Sequence, residues 1–60
     1  MNLYDDILCK YKVIYNRKYC YVNAYCSSEA FLKAQDILNI PESDRTFTYV
    51  IYIEDVERKT

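Results

Sequence analysis

Sixty residues with eight basic and nine acidic side chains, a formal net charge of −1, leave room for one domain and for no field of a single sign. A chain this short hides only about 60% of the surface its unfolded form exposes, which excludes a second domain and a thick two-sided core. The near balance of charge argues against binding nucleic acid or an anionic membrane by electrostatics alone.

Met1 to Asp6 precede the first patterned segment and are read as a loose extension or a cover for one sheet edge. From Leu8 to Tyr15, Cys9, Tyr11, Val13 and Tyr15 alternate with Leu8, Lys10, Lys12 and Ile14, the two-residue period of a half-buried strand. The alternation returns from Tyr19 to Cys26, so the short segment Asn16-Arg17-Lys18 demands a hairpin. A two-residue turn at Asn16-Arg17 opposes Tyr15 to Lys18, Val13 to Cys20, Tyr11 to Val22 and Cys9 to Ala24 on one face. The other face pairs Ile14 with Tyr19, Lys12 with Tyr21, Lys10 with Asn23 and Leu8 with Tyr25. A one-residue slip would exchange the two faces throughout. Asn16 tolerates the left-handed backbone of such a turn, and a four-residue loop in the same register is the alternative.

Ser27 and Ser28 offer N-caps, and Glu29 in the first turn faces the positive end of a helix dipole. Ala30, Phe31, Ala34, Ile37 and Leu38 form one stripe, which predicts a helix over about 28–39 with Leu32 partly exposed. Asn39 can end it in a left-handed cap, and Pro41 cannot continue it. After a polar connection over Pro41 to Arg45, Thr46 to Glu54 read as a third strand. Phe47, Tyr49, Ile51 and Ile53 lie opposite Thr48, Val50 and Tyr52. The charged tail from Asp55 is expected to be loose, giving an ordered core of about 8–54 within a single domain spanning 1–60.

The resulting fold class is α+β: a three-stranded antiparallel sheet with one helix on one face, in the chain order ββαβ. A right-handed crossover that skips one position favours the strand order 2-1-3, with 1-2-3 as the alternative. The helix is expected on Cys9, Tyr11, Val13, Cys20, Val22, Ala24, Phe47, Tyr49 and Ile51. The sheet face it leaves open is then a candidate partner-binding surface, carried by Lys10, Lys12, Ile14, Tyr19, Tyr21, Tyr25, Val50 and Tyr52. Three strands of this length offer roughly 370 Å², a size at which exposed apolar patches tend to be functional. Tyrosine suits the role, because it covers much area with only two torsions to freeze and keeps a hydroxyl for hydrogen bonding. Set against this, tyrosine is also a good strand former, and exposed cross-strand pairs simply stabilise hairpins.

Other chemistry finds little purchase. The chain has no histidine to serve as a base for a cysteine and no glycine for a phosphate-cradling loop, so no enzyme is expected. Cys9 and Cys26 could lie diagonally close without a third thiol, so the expectation is no metal and no cofactor. Three cysteines without a Cys-x-x-Cys pair fit reduced thiols acting as small hydrophobes. No run approaches the roughly 18 apolar residues of a membrane span, and Met1 to Asp6 lack the regions of a signal peptide; the expectation is a cytoplasmic protein without a membrane partner. Lys10 and Lys12 among tyrosines have the ingredients of a single-stranded nucleic-acid platform, though two lysines supply few phosphate contacts.

The stretch from Tyr21 to Ala34, with a strand ending Val-x-Ala, a serine turn and Glu-Ala-x-x-Lys-Ala opening a helix, resembles small uncharacterised phage and mobile-element accessory proteins. The surplus of Phe, Tyr, Met, Ile, Asn and Lys over Gly, Ala, Arg and Pro is what AT-rich codons would produce, in keeping with a low-GC bacterium, its phages or a plasmid. The resemblance implies a compact accessory protein and assigns no site residues. The expectation is a small interaction module that inhibits or modulates a host or defence protein by docking the tyrosine face. The alternatives are a homodimer with that face as its seam and a binder of single-stranded nucleic acid.

Overall fold

The structure, a computed structural model, describes residues 7–58. The expectations for 1–6 and for the last two residues lie outside the described residues. Strand β1 spans Ile7–Tyr15, β2 Lys18–Ala24, helix α1 Ser27–Leu38, and β3 Tyr49–Arg58, with a short 3-10 helix at Glu42–Phe47 leading into β3. The sheet is antiparallel throughout with the order β2-β1-β3, so the central strand is the first in sequence.

The hairpin has the two-residue turn, with Asn16 at φ 49° and Arg17 at φ 65°. Two consecutive left-handed residues give a turn whose twist matches that of the flanking strands. Tyr15 pairs with Lys18, Val13 with Cys20, Tyr11 with Val22 and Lys12 with Tyr21, as the alternation predicts.

The chain enters α1 one residue earlier than expected: Cys26, in extended backbone, is the N-cap, and Ser27 and Ser28 are already helical. Glu29 reaches back from the first turn to accept the Tyr25 backbone N–H at 3.1 Å. At the other end Asn39 is left-handed (φ 55°), and the Ile40 N–H donates to the Gln35 carbonyl at 3.1 Å. This six-to-one bond closes a Schellman end, and it turns Ile40 into the core.

The core is Val13, Val22, Ala24, Ala30, Phe31, Ala34, Leu38 and Ile40, with Tyr11, Tyr15, Cys20 and Val50 packed around it. The small helix residues Ala30 and Ala34 let α1 approach the sheet closely, and it lies chiefly over β2. Ile37, at the flank of the helical stripe, is exposed rather than buried. Arg45 closes the opposite side, its guanidinium 4.7 Å from the Phe31 ring. Tyr15 donates its hydroxyl to Asp44, which ties the 3-10 helix to β1 and pushes the Tyr15 phenol up.

The third strand departs from the sequence reading in phase and in extent. Thr46 and Phe47 belong to the 3-10 helix, and β3 continues through the charged tail to Arg58, paired with Ile7. Val50 pairs with Val13 and Tyr52 with Tyr11, so both lie on the helix side of the sheet, not on the open face. Tyr49 and Ile51, expected beneath the helix, pair with Ile14 and Lys12 on the open face, and Phe47 is exposed. The physical reason is cover. Because α1 sits chiefly over β2, the space left on β3 beside Phe31 and Val13 takes a valine and not a row of tyrosines.

Candidate functional site

The open face is built on β1 as its centre line. Lys10, Lys12 and Ile14 project from β1; Tyr19 and Tyr21 flank them on β2, and Tyr49 and Ile51 on β3. Two-residue periodicity puts all of these on one side once the hairpin register is set. The flanks are well exposed: Tyr19 60%, Tyr21 49%, Tyr49 67% and Ile51 44%. Lys10, Lys12 and Ile14 are half-buried between them.

The lysines do not point freely into solvent. Lys12 Nζ lies 4.7 Å from the centre of the Tyr19 ring and 5.9 Å from that of Tyr21, and Lys10 Nζ lies 5.0 Å from the Tyr21 ring. Tyr19 and Tyr21 meet edge to face, with centroids 5.9 Å apart and planes at 81°. Such ring–cation contacts are worth about 0.5–1 kcal/mol at exposed sites. Each contact favours this arrangement of rings and ammonium groups over others by an energy comparable to RT. Glu54, a residue the sequence reading did not include, sits opposite Lys10 on β3.

Five of the predicted binding residues, Lys10, Lys12, Ile14, Tyr19 and Tyr21, thus come together. Val50 and Tyr52 are on the other side of the sheet. Tyr25 lies beyond the end of β2, half-buried at the turn into α1. Tyr49 and Ile51 belong to the face although the sequence reading placed them beneath the helix.

A second cluster occupies the helix side of the sheet where α1 no longer covers β3. Tyr52 donates its hydroxyl to Asp55 Oδ1 at 2.7 Å, and the Cys9 thiol approaches the same oxygen at 3.7 Å. The hydrogen bond to the carboxylate pushes the Tyr52 phenol up to about 12. Tyr11 meets the Tyr52 ring edge-on, centroids 6.1 Å apart, and burial raises its phenol as well. A phenol raised this far is a weaker acid that stays protonated near neutral pH, and the cluster acts as a tie across the irregular part of the β1–β3 ladder. Register shifts between Leu8 and Cys9 and between Lys10 and Tyr11 mark that irregularity, and they bring Asp55 opposite Cys9. No strict alternation could have foretold it.

An open pocket of about 230 Å³ lies between the start of α1 and β3, lined by Ser27, Ser28, Phe31, Arg45, Thr48 and Val50. Among the described residues no group of three or more His, Cys, Asp or Glu side chains is placed to hold a metal ion, and no helix is long and apolar enough to cross a membrane. Compared with protein-family models, curated proteins and solved structures, the chain matches none.

Proposed function

We propose that this protein is a small interaction module that docks its open sheet face on a partner protein. The observation that carries the reading is the exposure of Tyr19, Tyr21, Tyr49 and Ile51 around a half-buried Lys10–Lys12–Ile14 line, on a sheet whose other face holds the core. Tyrosine-rich, rigid and partly apolar surfaces are what interface centres are made of. Because two lysines supply few phosphate contacts and the net charge is −1, a protein partner fits this face better than a phosphate backbone. On the strength of the resemblance and the AT-biased composition, the proposed target is a host or defence protein in the host cytoplasm, inhibited by occlusion.

Capture from host lysate, with and without nuclease, tests this reading. A stoichiometric protein band that survives nuclease and is lost with Tyr21→Ala supports it. A centrally docked tyrosine contributes about 2 kcal/mol or more, roughly thirty-fold in Kd, and Tyr21 is exposed enough for the fold to survive its removal. Capture unchanged by Tyr21→Ala, or dependent on nucleic acid, rejects the reading.

A further inference from the structure

The two edges of the sheet are treated very differently. On β2 the outward Asn23 carbonyl is capped by Lys33 Nζ at 2.6 Å. On β3, Tyr49 to Ile53 carry no charged side chain, no proline and no glycine, and among the described residues no strand pairs with the outer edge of β3. An uncharged edge rich in β-branched and aromatic residues is a template for another strand. Every residue from Ile51 to Glu57 is exposed, so this edge stands clear of the helix.

We propose that β3 pairs antiparallel with β3 of a second copy, across a dyad at Ile51, forming one continuous sheet in the order β2-β1-β3-β3-β1-β2. The register follows from the ladder. The two-residue turn makes Tyr15 and Lys18 the closing hydrogen-bonded pair. Alternation then points the backbone groups of Lys10, Lys12 and Ile14 away from β2 and toward β3. Ile51 and Tyr49, opposite Lys12 and Ile14, return those bonds, so Val50 and Tyr52 turn their N–H and C=O to the free edge. With the dyad at Ile51, Val50 of each copy faces Tyr52 of the other, and their outward groups exchange hydrogen bonds in both directions.

Charge selects a second copy in this direction. A parallel pairing would set Glu54, Asp55 and Glu57 against themselves. The antiparallel one carries them past Tyr49 of the second copy, opposite its uncharged Thr48 and Phe47 and, for Glu57, opposite Arg45, whose half-exposed guanidinium lies 3.6 Å from Glu42. The area suffices for a closed pair. Phe47, Tyr49, Ile51, Tyr52, Ile53 and Val56 are each 42–68% exposed. At roughly 100 Å² apiece, two copies offer at most about 1,200 Å², the lower end of the range for specific complexes. Pairing through the edge leaves Tyr19 and Tyr21 free and covers Tyr49 and Ile51, so the open face of the pair is centred on β1 and β2 of each copy.

Sedimentation of the full chain over a range of concentrations tests it, with two charge variants. Wild type should move from the chain mass of 7.2 kDa to twice that as concentration rises. Ile51→Lys and Ile51→Glu, which place like charges opposite each other at the dyad, should each stay at the chain mass with unchanged circular dichroism. An equimolar mixture of the two should recover the dimer, and Tyr21→Ala should dimerise as wild type does. A wild type that keeps the chain mass at every concentration overturns the proposal. So does a dimer that survives both Ile51 variants or is lost with Tyr21→Ala.

Discussion

Val50 and Tyr49 are neighbours in β3, and the phase of that strand decides which of them the fold needs. Val50→Asp puts a carboxylate beside Val13 and Phe31, whereas Tyr49→Asp puts one on the open face at a site already 67% exposed. Both substitutions carry the same penalty for aspartate in a strand, so their difference isolates the surroundings. For a half-buried valine the lost apolar transfer is about 1 kcal/mol, and desolvating an unpaired polar group adds about 1–3 kcal/mol. Val50→Asp should therefore cost about 2–4 kcal/mol, and Tyr49→Asp about 1 kcal/mol or less. A domain of this size holds about 3–9 kcal/mol in total, so the first variant should be close to unfolding and the second well folded. In urea, with m near 1 kcal/mol per M, the midpoint of Val50→Asp should lie about 2 M below that of Tyr49→Asp, read by far-UV circular dichroism. Equal midpoints, or a lower one for Tyr49→Asp, would refute the assignment of Val50 to the helix side.

The remaining predictions concern the turn and the tyrosine–carboxylate tie. Arg17→Gly should raise the melting temperature: a non-glycine residue at φ 65° carries a steric cost of about 1–2 kcal/mol that exceeds the added entropy of glycine in the unfolded chain. The gain of about 0.5–1 kcal/mol is several degrees in a domain this small, and a fall in Tm would show that Arg17 contributes contacts outweighing its strain. Tyr52 titrates at about 12 in the folded chain against an ordinary 10.0. A raised phenol pKa stabilises the fold fully below 10, and this contribution is lost as pH rises through about 12. The urea midpoint of wild type should fall across that window more steeply than that of Tyr52→Phe, whose residual slope comes from Tyr11 and Tyr15, shifted the same way. Identical slopes would contradict the Tyr52–Asp55 bond.

The hairpin and helix were legible in the sequence because their patterns carry contrast. Lysines between Cys9, Tyr11 and Val13 mark opposite faces of β1, and Asn39 followed by Pro41 marks the helix end. With both register and crossover constrained, the strand order 2-1-3 followed, and with it the meeting of Lys12 with Tyr19 and Tyr21. Phe47 to Ile53 carry no such contrast. Every second residue on either side is large and apolar or β-branched, so alternation cannot say which set is covered. Side-chain size points to the larger set as the core, whereas the helix position leaves room there only for Val50. The bulged end of the strand hid the Tyr52–Asp55–Cys9 cluster for a related reason, since each register shift moves later residues to the other face.

The most direct test of the open face as the binding surface is an NMR footprint of the captured partner on the labelled chain. Perturbations are expected at Lys10, Lys12, Tyr19, Tyr21, Tyr49 and Ile51, with Phe31, Ala34 and Leu38 unchanged in the core. A footprint centred instead on the exposed helix residues Leu32 and Ile37, with Tyr19 and Tyr21 unmoved, would contradict the account.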